Sequence, residues 1–545
     1  MAKNNKNRNN TAPASIHSKS KPEASHQGNA DKGFRHTPWL YAISVILLTL
    51  VLYSNTFHHR FVLDDHGIIK NNKITKAPVS WQNTVKIFST PLRKGDFSDI
   101  ENSLYRPAVK FLFNIEWNLF SGDPHSFHVV NVFLYALCGA FLFFIFYDAL
   151  RKQMVFPFLI ALLFITHPIH TEVVANIKSG DEVLSLLGIL MALRCSQLYT
   201  KKNQLLYLLA AILSFLLGSF SKESTVVAVL IFPLFLYFFT DIESRKNAVL
   251  STIMLSCSLF FLLCRYLTLK QYQDKTTLSA LDNFMVLCNE GSYVGTHRFS
   301  SAVNTLGLYL KTFLFPHPLS CDYSYSALVP VGFANPGFLF SFFLLLAMFG
   351  YAVYSIAKKS EKNPLAFGIL WFFIAMSITS NIFFLIGTSF GERLLFVPSL
   401  GLTLILVFGL AHFFYKNQEA NDSLSAAFRK APVFLLMVFA IAGLYSFKTY
   451  DRNKDWKSDF SLFSKDVESY PESTHLLFYM GNHLSGSDFK DNLELDISEN
   501  NLNIDLKDSV KRANYRAIEL LSKSLSIFPA LPSDGYNQLG KAYFN

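Results

Sequence analysis

The chain has 545 residues, of which 51% are hydrophobic and only 16% are charged, and its formal net charge is +10. A soluble protein of this size would expose too much apolar surface with that composition. Several apolar runs approach the ~20 residues that cross a bilayer, so the composition predicts a polytopic membrane protein in contact with the lipid bilayer. The basic excess fits the retention of Lys and Arg on the cytoplasmic side, and without a basic, aromatic-lined face we expect no nucleic-acid partner.

The first 36 residues are polar, and the chain then becomes strongly apolar. Residues 1–36 carry too little apolar surface to fold, which predicts a disordered cytoplasmic tail. The run that begins at Trp39 lacks a small-residue cleavage site and is predicted to be a signal anchor. Hydropathy predicts about eleven spans within a transmembrane domain at 37–447. The predicted spans are 39–56, 127–148, 154–168, 183–199, 205–219, 224–240, 248–268, 335–357, 365–387, 394–415 and 431–447.

Basic residues in alternate loops predict the orientation of these spans. With the N-terminus inside, the Lys- and Arg-containing loops face the cytoplasm. Two large loops, 57–126 and 269–334, then lie on the outer side. The apolar segment 302–316 would break this alternation if it crossed, so we predict an interfacial or re-entrant helix there, with its apolar face in the membrane.

Two adjacent carboxylates follow the first span in the stretch HHRFVLDDHGIIKNN, residues 58–72. Neighbouring carboxylates raise each other's pKa or share a cation. Asp64 and Asp65 are therefore a candidate general base at the membrane surface. A solvated turn is the alternative interpretation.

Other polar residues occupy the outer ends of the predicted spans, where charges are costly and tend to mark function. The stretch HPIHTEVVANIKSGDE, residues 167–182, favours a polar pocket lining, because its spacing matches no compact zinc motif. Arginine and lysine in the SKES and GER stretches are candidates for phosphate, with internal pairs to acidic residues as the alternative. The residues concerned are His128, Asn131, His167, His170, Glu172, Lys222, Glu223, Glu392 and Arg393.

The chain becomes soluble after residue 448. Residues 515–545 have small and apolar residues at the spacing of a tetratricopeptide repeat, and 469–486 resembles another first repeat helix, followed by a polar insertion at 487–510. A solenoid needs about three repeats, so we predict that 448–545 is the start of a truncated repeat domain. Cys288 and Cys321 lie in predicted outer loops, and their spacing does not decide whether they form a disulfide.

The motifs occur in one order along the chain: DD, YRP, H-x-x-N, HPIHTE, SKE, FPHPLSCDYSY, GERLLFVPS and DWKSDFSLFSKDVESYPEST, followed by the repeats. This order resembles the transmembrane and tetratricopeptide-repeat O-mannosyltransferases of the GT-C glycosyltransferase superfamily, over residues 39–545. The sequence departs from that pattern at IKSGDEVLS, where Lys178 replaces an expected arginine and Asp181 and Glu182 keep the acid.

The resemblance implies a GT-C-type bundle and a specific reaction. A sugar, mannose or another hexose, would pass from a polyprenyl-phosphate donor to Ser or Thr hydroxyls of a protein acceptor held by the repeats. Asp64 would be the base of an inverting displacement, supported by Asp65. Arg393, Lys222 and Arg106 would bind the donor phosphate, and the other polar residues named above, with Lys178, Asp181 and Glu182, would order the pocket.

The Asn- and Lys-rich tail predicts a bacterial member, with the active site and repeats on the periplasmic side of the inner membrane; a eukaryotic member would face the lumen of the endoplasmic reticulum. Such an enzyme is expected to need no cofactor. An oligosaccharyltransferase or glycan ligase with a lipid-pyrophosphate donor and a divalent metal is the second hypothesis. A non-enzymatic, membrane-anchored repeat scaffold is the third.

Overall fold

The computed structural model describes residues 37–96, 104–272, 278–358, 362–415, 423–486, 506–529 and 533–544. Throughout these ranges the regular structure is helical, with no strand. The predicted cytoplasmic tail at 1–36 lies outside the described residues, and so does most of the predicted insertion at 487–510.

The apolar part of the chain forms sixteen helices within the described ranges. They are α1 Thr37–Leu52, α2 Trp81–Phe88, α3 Pro107–Phe120, α4 Pro124–Ala149, α5 Val155–Thr166, α6 Thr171–Val174, α7 Gly180–Lys202, α8 Leu205–Ser221, α9 Ala228–Phe239, α10 Ser244–Leu269, α11 Arg298–Leu314, α12 Pro336–Ala357, α13 Pro364–Met376, α14 Ser399–Phe414, α15 Leu424–Lys430 and α16 Pro432–Asp455.

Five of the described helices are long and apolar enough to cross a membrane by length and composition, namely α4, α7, α10, α12 and α16. A sixth candidate is α5 together with Pro168–Val174, which bend by 54° where they meet. Shorter apolar helices cover Pro38–Leu52, Leu205–Ser221, Glu223–Phe239, Pro364–Met376 and Ser399–Phe414. These apolar helices are those of a membrane protein. Each predicted span overlaps one of them, and the number of crossings stays a prediction.

The segment predicted as a span at 365–387 is only half helical. Helix α13 ends at Met376, and no regular helix resumes before Glu392. Polar residues cause the break, because the Ser377 hydroxyl donates back to the carbonyl of Ile374 (2.7 Å) and Asn381 adopts a φ of +58°. The side-chain oxygen of Asn381 then accepts from the amide of Ile386 (3.0 Å), which closes a compact loop.

Helix α11 forms where the sequence predicts a non-crossing helix, but its surroundings differ from the expectation. Its apolar residues, including Leu306, Tyr309 and Phe313, are buried in one cluster with Phe338 and Leu345 of α12. The face that we expected to meet lipid therefore packs on protein.

Helix α7 is central to the bundle because it approaches α8 closely. A Cβ atom on Gly188 would lie 2.6 Å from the backbone nitrogen of Gly218. Only glycine permits this crossing, since both backbones meet there. The N-terminal end of α7 carries Asp181 and Glu182, so this packing positions two candidate site residues.

In the described residues, four helices follow the last apolar helix: α17 Asp459–Ser469, α18 Thr474–Ser485, α19 Leu506–Ile527 and α20 Ser533–Phe544. Each packs on the next, and leucines and alanines on facing sides form a core that also includes Val62, Ala175 and Cys321. Within this core, Gly481 lets α18 approach Leu521. Sequential packing is what helical repeats produce, and the tetratricopeptide assignment stays a prediction.

Candidate active site

The two adjacent aspartates lie in a turn, residues 60–66, and they have different surroundings. Asp65 is fully buried, and its carboxylate accepts from the amides of Val62 (3.0 Å) and Lys178 (2.7 Å). Burial raises the pKa of Asp65 to about 7, although both amide donors act against it. Asp65 thus ties the turn to the segment that precedes α7.

Asp64 is the exposed member of the pair, with 40% of its side chain accessible. Its carboxylate contacts the guanidinium of Arg93 and lies 3.9 Å from the ammonium of Lys178. Burial alone would raise the pKa of Asp64, but the positive charges of Lys178, Arg93 and Arg393 outweigh it and hold the pKa below its usual value. Asp64 is therefore ionised at neutral pH and open to an incoming molecule.

Arg393 connects the GER turn to the short helix α6. Its guanidinium lies 2.5 Å from Glu172, and its backbone amide donates to the same carboxylate (2.8 Å). Glu172 is buried, whereas 31% of the Arg393 side chain is exposed. The exposed part of the Arg393 side chain can thus contact a ligand while Glu172 holds the guanidinium in place.

Arg106 and Lys222 are enclosed by carboxylates. Arg106 forks onto Glu223 (2.6 and 2.9 Å) and also contacts Asp181 at 2.5 Å. Lys222 is in direct contact with Glu182. Both cations are at least nine-tenths buried, so the internal pairs considered for the sequence are present here.

These residues form one charge cluster of five carboxylates and five cations. Lys178 joins the surroundings of Asp64 to those of Arg106, because its ammonium lies 3.9 Å from Asp64 and 3.6 Å from Asp181. Each carboxylate is paired with a lysine or arginine, so neighbouring charges are balanced. In the described parts of the chain, no three His, Cys, Asp or Glu side chains group closely enough to hold a metal ion. The members of the charge cluster are Asp64, Glu172, Asp181, Glu182, Glu223, Arg93, Arg106, Lys178, Lys222 and Arg393.

The remaining sequence candidates lie beneath the charge cluster and hold backbone or other side chains. His170 lies between the hydroxyls of Tyr135 (2.7 Å) and Ser399 (2.9 Å). The Asn131 amide donates to the carbonyls of Val173 (3.2 Å) and Val174 (2.9 Å). His167 contacts the carbonyl of Phe313 (2.9 Å), and His128 that of Arg60 (3.4 Å). These four residues are buried.

Glu392 faces away from Arg393 into the loop that carries the FPHPLSCDYSY stretch. Its carboxylate accepts from the hydroxyl of Tyr323 (2.6 Å) and the amide of Ser320 (2.7 Å). Burial raises the pKa of Glu392 to about 8. Glu392 therefore connects the GER turn to the loop that contains Ser320 and Tyr323. Cys321 of the same loop and Cys288 are free thiols.

A narrow cleft opens beside the charge cluster between α7, α9, α13 and α14. Glu182, Lys222 and Ser224 line its polar end, and the rest of the lining is mostly apolar. The other lining residues are Ser185, Ile189, Val227, Ala228, Ile231, Ala375, Thr379, Leu394, Val397 and Pro398.

Sequence reasoning missed Arg93, which contacts Asp64 directly. Lys110 of α3 holds the Arg93 loop, because its buried ammonium donates to the carbonyls of Leu92 and Lys94 (2.8 Å each). The only signal in the sequence is the charged stretch PLRKGD within an outer loop. A loop without periodicity does not reveal which of its charges turns inward.

Helices α17 and α18 also contribute residues that sequence reasoning missed. Asp466 of α17 accepts from Arg452 (2.6 and 3.0 Å) and from the amide of Cys321 (2.7 Å). His475 of α18 contacts the hydroxyl of Ser324 (2.9 Å). The stretch that follows the last apolar helix is therefore joined to the loop that contains Cys321 and Ser324.

Comparison with known proteins shows similarity along most of the chain. It is 27% identical over 451 residues to a protein O-mannosyl-transferase of Caenorhabditis elegans, covering 80% of this chain and 59% of the relative. It is 25% identical to the human protein O-mannosyl-transferase TMTC1, with coverages of 79% and 51%, and 24% identical to human TMTC3, with coverages of 81% and 49%. The chain spans about half of the length of these curated relatives. No family model matches it.

Proposed function

We propose that this homologue of the protein O-mannosyl-transferases is an integral-membrane glycosyltransferase. It moves mannose or another hexose from a polyprenyl-phosphate donor to Ser or Thr hydroxyls of proteins on the outer face of the membrane. The similarity over four fifths of the chain supports the reaction class. The observation that carries the proposal is Asp64, an accessible carboxylate beside three cations at the end of an apolar helical bundle.

Asp64 acts as the general base. The acceptor hydroxyl gives its proton to the Asp64 carboxylate, and its oxygen attacks the anomeric carbon on the face opposite the phosphate. The bond between that carbon and the phosphate oxygen breaks, and the phosphate leaves with the electron pair. A single displacement of this kind needs one base and inverts the anomeric centre.

The positive groups around Asp64 serve the leaving phosphate. Arg393 has the accessible guanidinium, and the ammonium of Lys178 lies 3.9 Å from the carboxylate of Asp64. Such groups stabilise developing negative charge without reorganising, which is worth a few kcal/mol in a site of this kind. Lys222 lies at the polar end of the cleft, which is the proposed position of the donor head.

The cluster also supports transfer without a divalent metal, because lysine and arginine already neutralise each of its carboxylates. The helices after residue 456 hold the acceptor polypeptide, and their direct contacts with the outer loops support this role. The active site and these helices then share one side of the membrane, the periplasm in a bacterium or the lumen of the endoplasmic reticulum in a eukaryote.

Replacing the proposed base tests this function. Asp64→Asn keeps the size of the side chain but cannot accept a proton at neutral pH, so transfer should fall by at least ~100-fold in an assay with purified protein, a lipid-linked hexose and a peptide acceptor. Asp123→Asn is the matched control, because Asp123 is an exposed carboxylate of the same outer loop that only caps α4. A folded Asp64→Asn variant with most of the activity would overturn the proposal.

A further inference from the structure

The turn that carries Asp64 is held by the segment that follows the last apolar helix. The amide of Arg60 donates to the carbonyl of Lys457 (3.0 Å). Val62 is fully buried in a cluster with Trp456, Leu462 and other residues of helices α17 to α20. These contacts join parts of the chain that lie almost 400 residues apart.

One carboxylate makes the closest contacts in this region. An oxygen of Asp459, the first residue of α17, accepts from the amide of Leu63 (2.9 Å). Its other oxygen lies 2.8 Å from Nε2 of His66. Asp459 therefore contacts the turn on both sides of the aspartate pair, at the residue before Asp64 and at the residue after Asp65.

The backbone of the turn needs such a partner. Leu63 adopts a φ of +51°, a region that a leucine side chain rarely occupies. Residues in such conformations persist where their surroundings over-determine them, and they cluster at active sites. The bond from the Leu63 amide to Asp459 fixes this peptide and with it the direction of the next side chain, Asp64.

His66 strengthens the contact. Burial alone would lower the pKa of His66, but the hydrogen bond and negative charge of Asp459 outweigh it and raise the pKa. Asp459 is itself mostly buried, with 15% of its side chain exposed. Ion pairs that are shielded from water and hydrogen-bonded hold geometry better than exposed ones.

We propose that Asp459 is a positioning residue of the transferase: by binding the Leu63 amide and His66 with one carboxylate, it aims Asp64 at the acceptor hydroxyl. The inference rests on the proposed function, in which Asp64 is the base. Asp459 touches no reacting atom, so it sets the rate of the chemical step and not the binding of either substrate.

Substitution of Asp459 tests this role. Asp459→Ala removes both contacts and should lower kcat about 10- to 100-fold, with the KM values for donor and acceptor within about twofold of wild type. Asp459→Asn keeps an acceptor for the Leu63 amide and should lose less. Asp123→Asn is the control, since Asp123 is an exposed carboxylate at the start of α4 and lies outside the helices proposed to hold the acceptor. It should leave kcat unchanged.

Hydrogen–deuterium exchange on the same proteins gives a readout that needs no activity. Asp459→Ala should speed exchange in peptides that cover 60–70 and leave 474–485 as protected as in wild type. A wild-type kcat per folded molecule in Asp459→Ala, or unchanged exchange at 60–70, would overturn the inference. An active Asp64→Asn variant would instead overturn the proposed function, so the two failures can be told apart.

Discussion

At the residue scale, Asp64 and Asp65 are neighbours in sequence with opposite surroundings. The side chain of Asp64 is 40% exposed and meets cations, whereas Asp65 is buried and meets two backbone amides. The sequence identified the pair, and the family resemblance assigned the base to Asp64, but neither predicted their different burial, because a turn of irregular backbone decides which side chain points inward. Solvent access makes Asp64 the candidate base and gives Asp65 a structural position.

The buried aspartate should make stability depend on pH. Burial raises the pKa of Asp65 to about 7 from 3.8, so the folded protein keeps this proton over a range in which the unfolded chain has lost it. The stabilisation is therefore complete below about pH 4 and is lost as the pH rises through about 7. Asp65→Asn cannot titrate, so its unfolding temperature in detergent should change less between pH 4 and 7.

Asp123→Asn is the control for that measurement, since Asp123 is exposed and should leave the wild-type slope unchanged. The same Asp65→Asn protein should retain measurable transfer, in contrast to Asp64→Asn. An identical pH slope in wild type and Asp65→Asn would contradict the assigned protonation of Asp65.

At the scale of elements, hydropathy predicted where apolar helices form, because the length of a bilayer crossing and the burial of apolar side chains both depend on local composition. It predicted less well where they end. Helix α13 stops at Met376 because hydroxyl and amide side chains of the next residues bond to the backbone. The pairing of Arg93 with Asp64 and of Asp459 with Leu63 depends on distant segments meeting, which no local pattern records.

The crossing of α7 and α8 gives an element-scale prediction. Gly188→Ala places a methyl group against the backbone of Gly218, which cannot yield as a flexible side chain would. The variant should lose roughly 1–3 kcal/mol of stability from overpacking. A lower unfolding temperature, with lower transfer because α7 carries Asp181 and Glu182, is the expected result.

Gly350→Ala is the matched control. Gly350 also lies within an apolar helix, α12, but a Cβ atom there meets nothing within 4 Å. This variant should unfold at or slightly above the wild-type temperature. Equal effects of the two substitutions would show that the α7–α8 approach is not limiting.

At the scale of the whole molecule, the charged residues separate to two ends of the helical bundle. The charge cluster and helices α17 to α20 lie at one end of the bundle. At the other, Asp148 near the end of α4 contacts Arg194 of α7 and lies 3.3 Å from Lys201, which belongs to a segment predicted to be cytoplasmic. This separation matches the distribution of Lys and Arg in membrane proteins.

Labelling with an impermeant thiol reagent tests the orientation. In a cysteine-free background, Asp123→Cys and Glu472→Cys should react from the outside of sealed cells, and Lys202→Cys only after the membrane is opened. All three positions carry exposed side chains. If Asp123→Cys and Glu472→Cys were labelled from opposite sides of the membrane, the turn that carries Asp64 and helices α17 to α20 would not share one side.

The long-range contact between Leu63 and Asp459 has a consequence for biosynthesis. The chain leaves the ribosome N-terminus first, so the turn waits for 396 further residues before its partner exists. At about 5–20 residues per second, this delay is roughly 20 to 80 seconds. A nascent chain therefore contains Asp64 before Asp459 has been made, so the turn lacks its distant hydrogen-bond partner until α17 is complete.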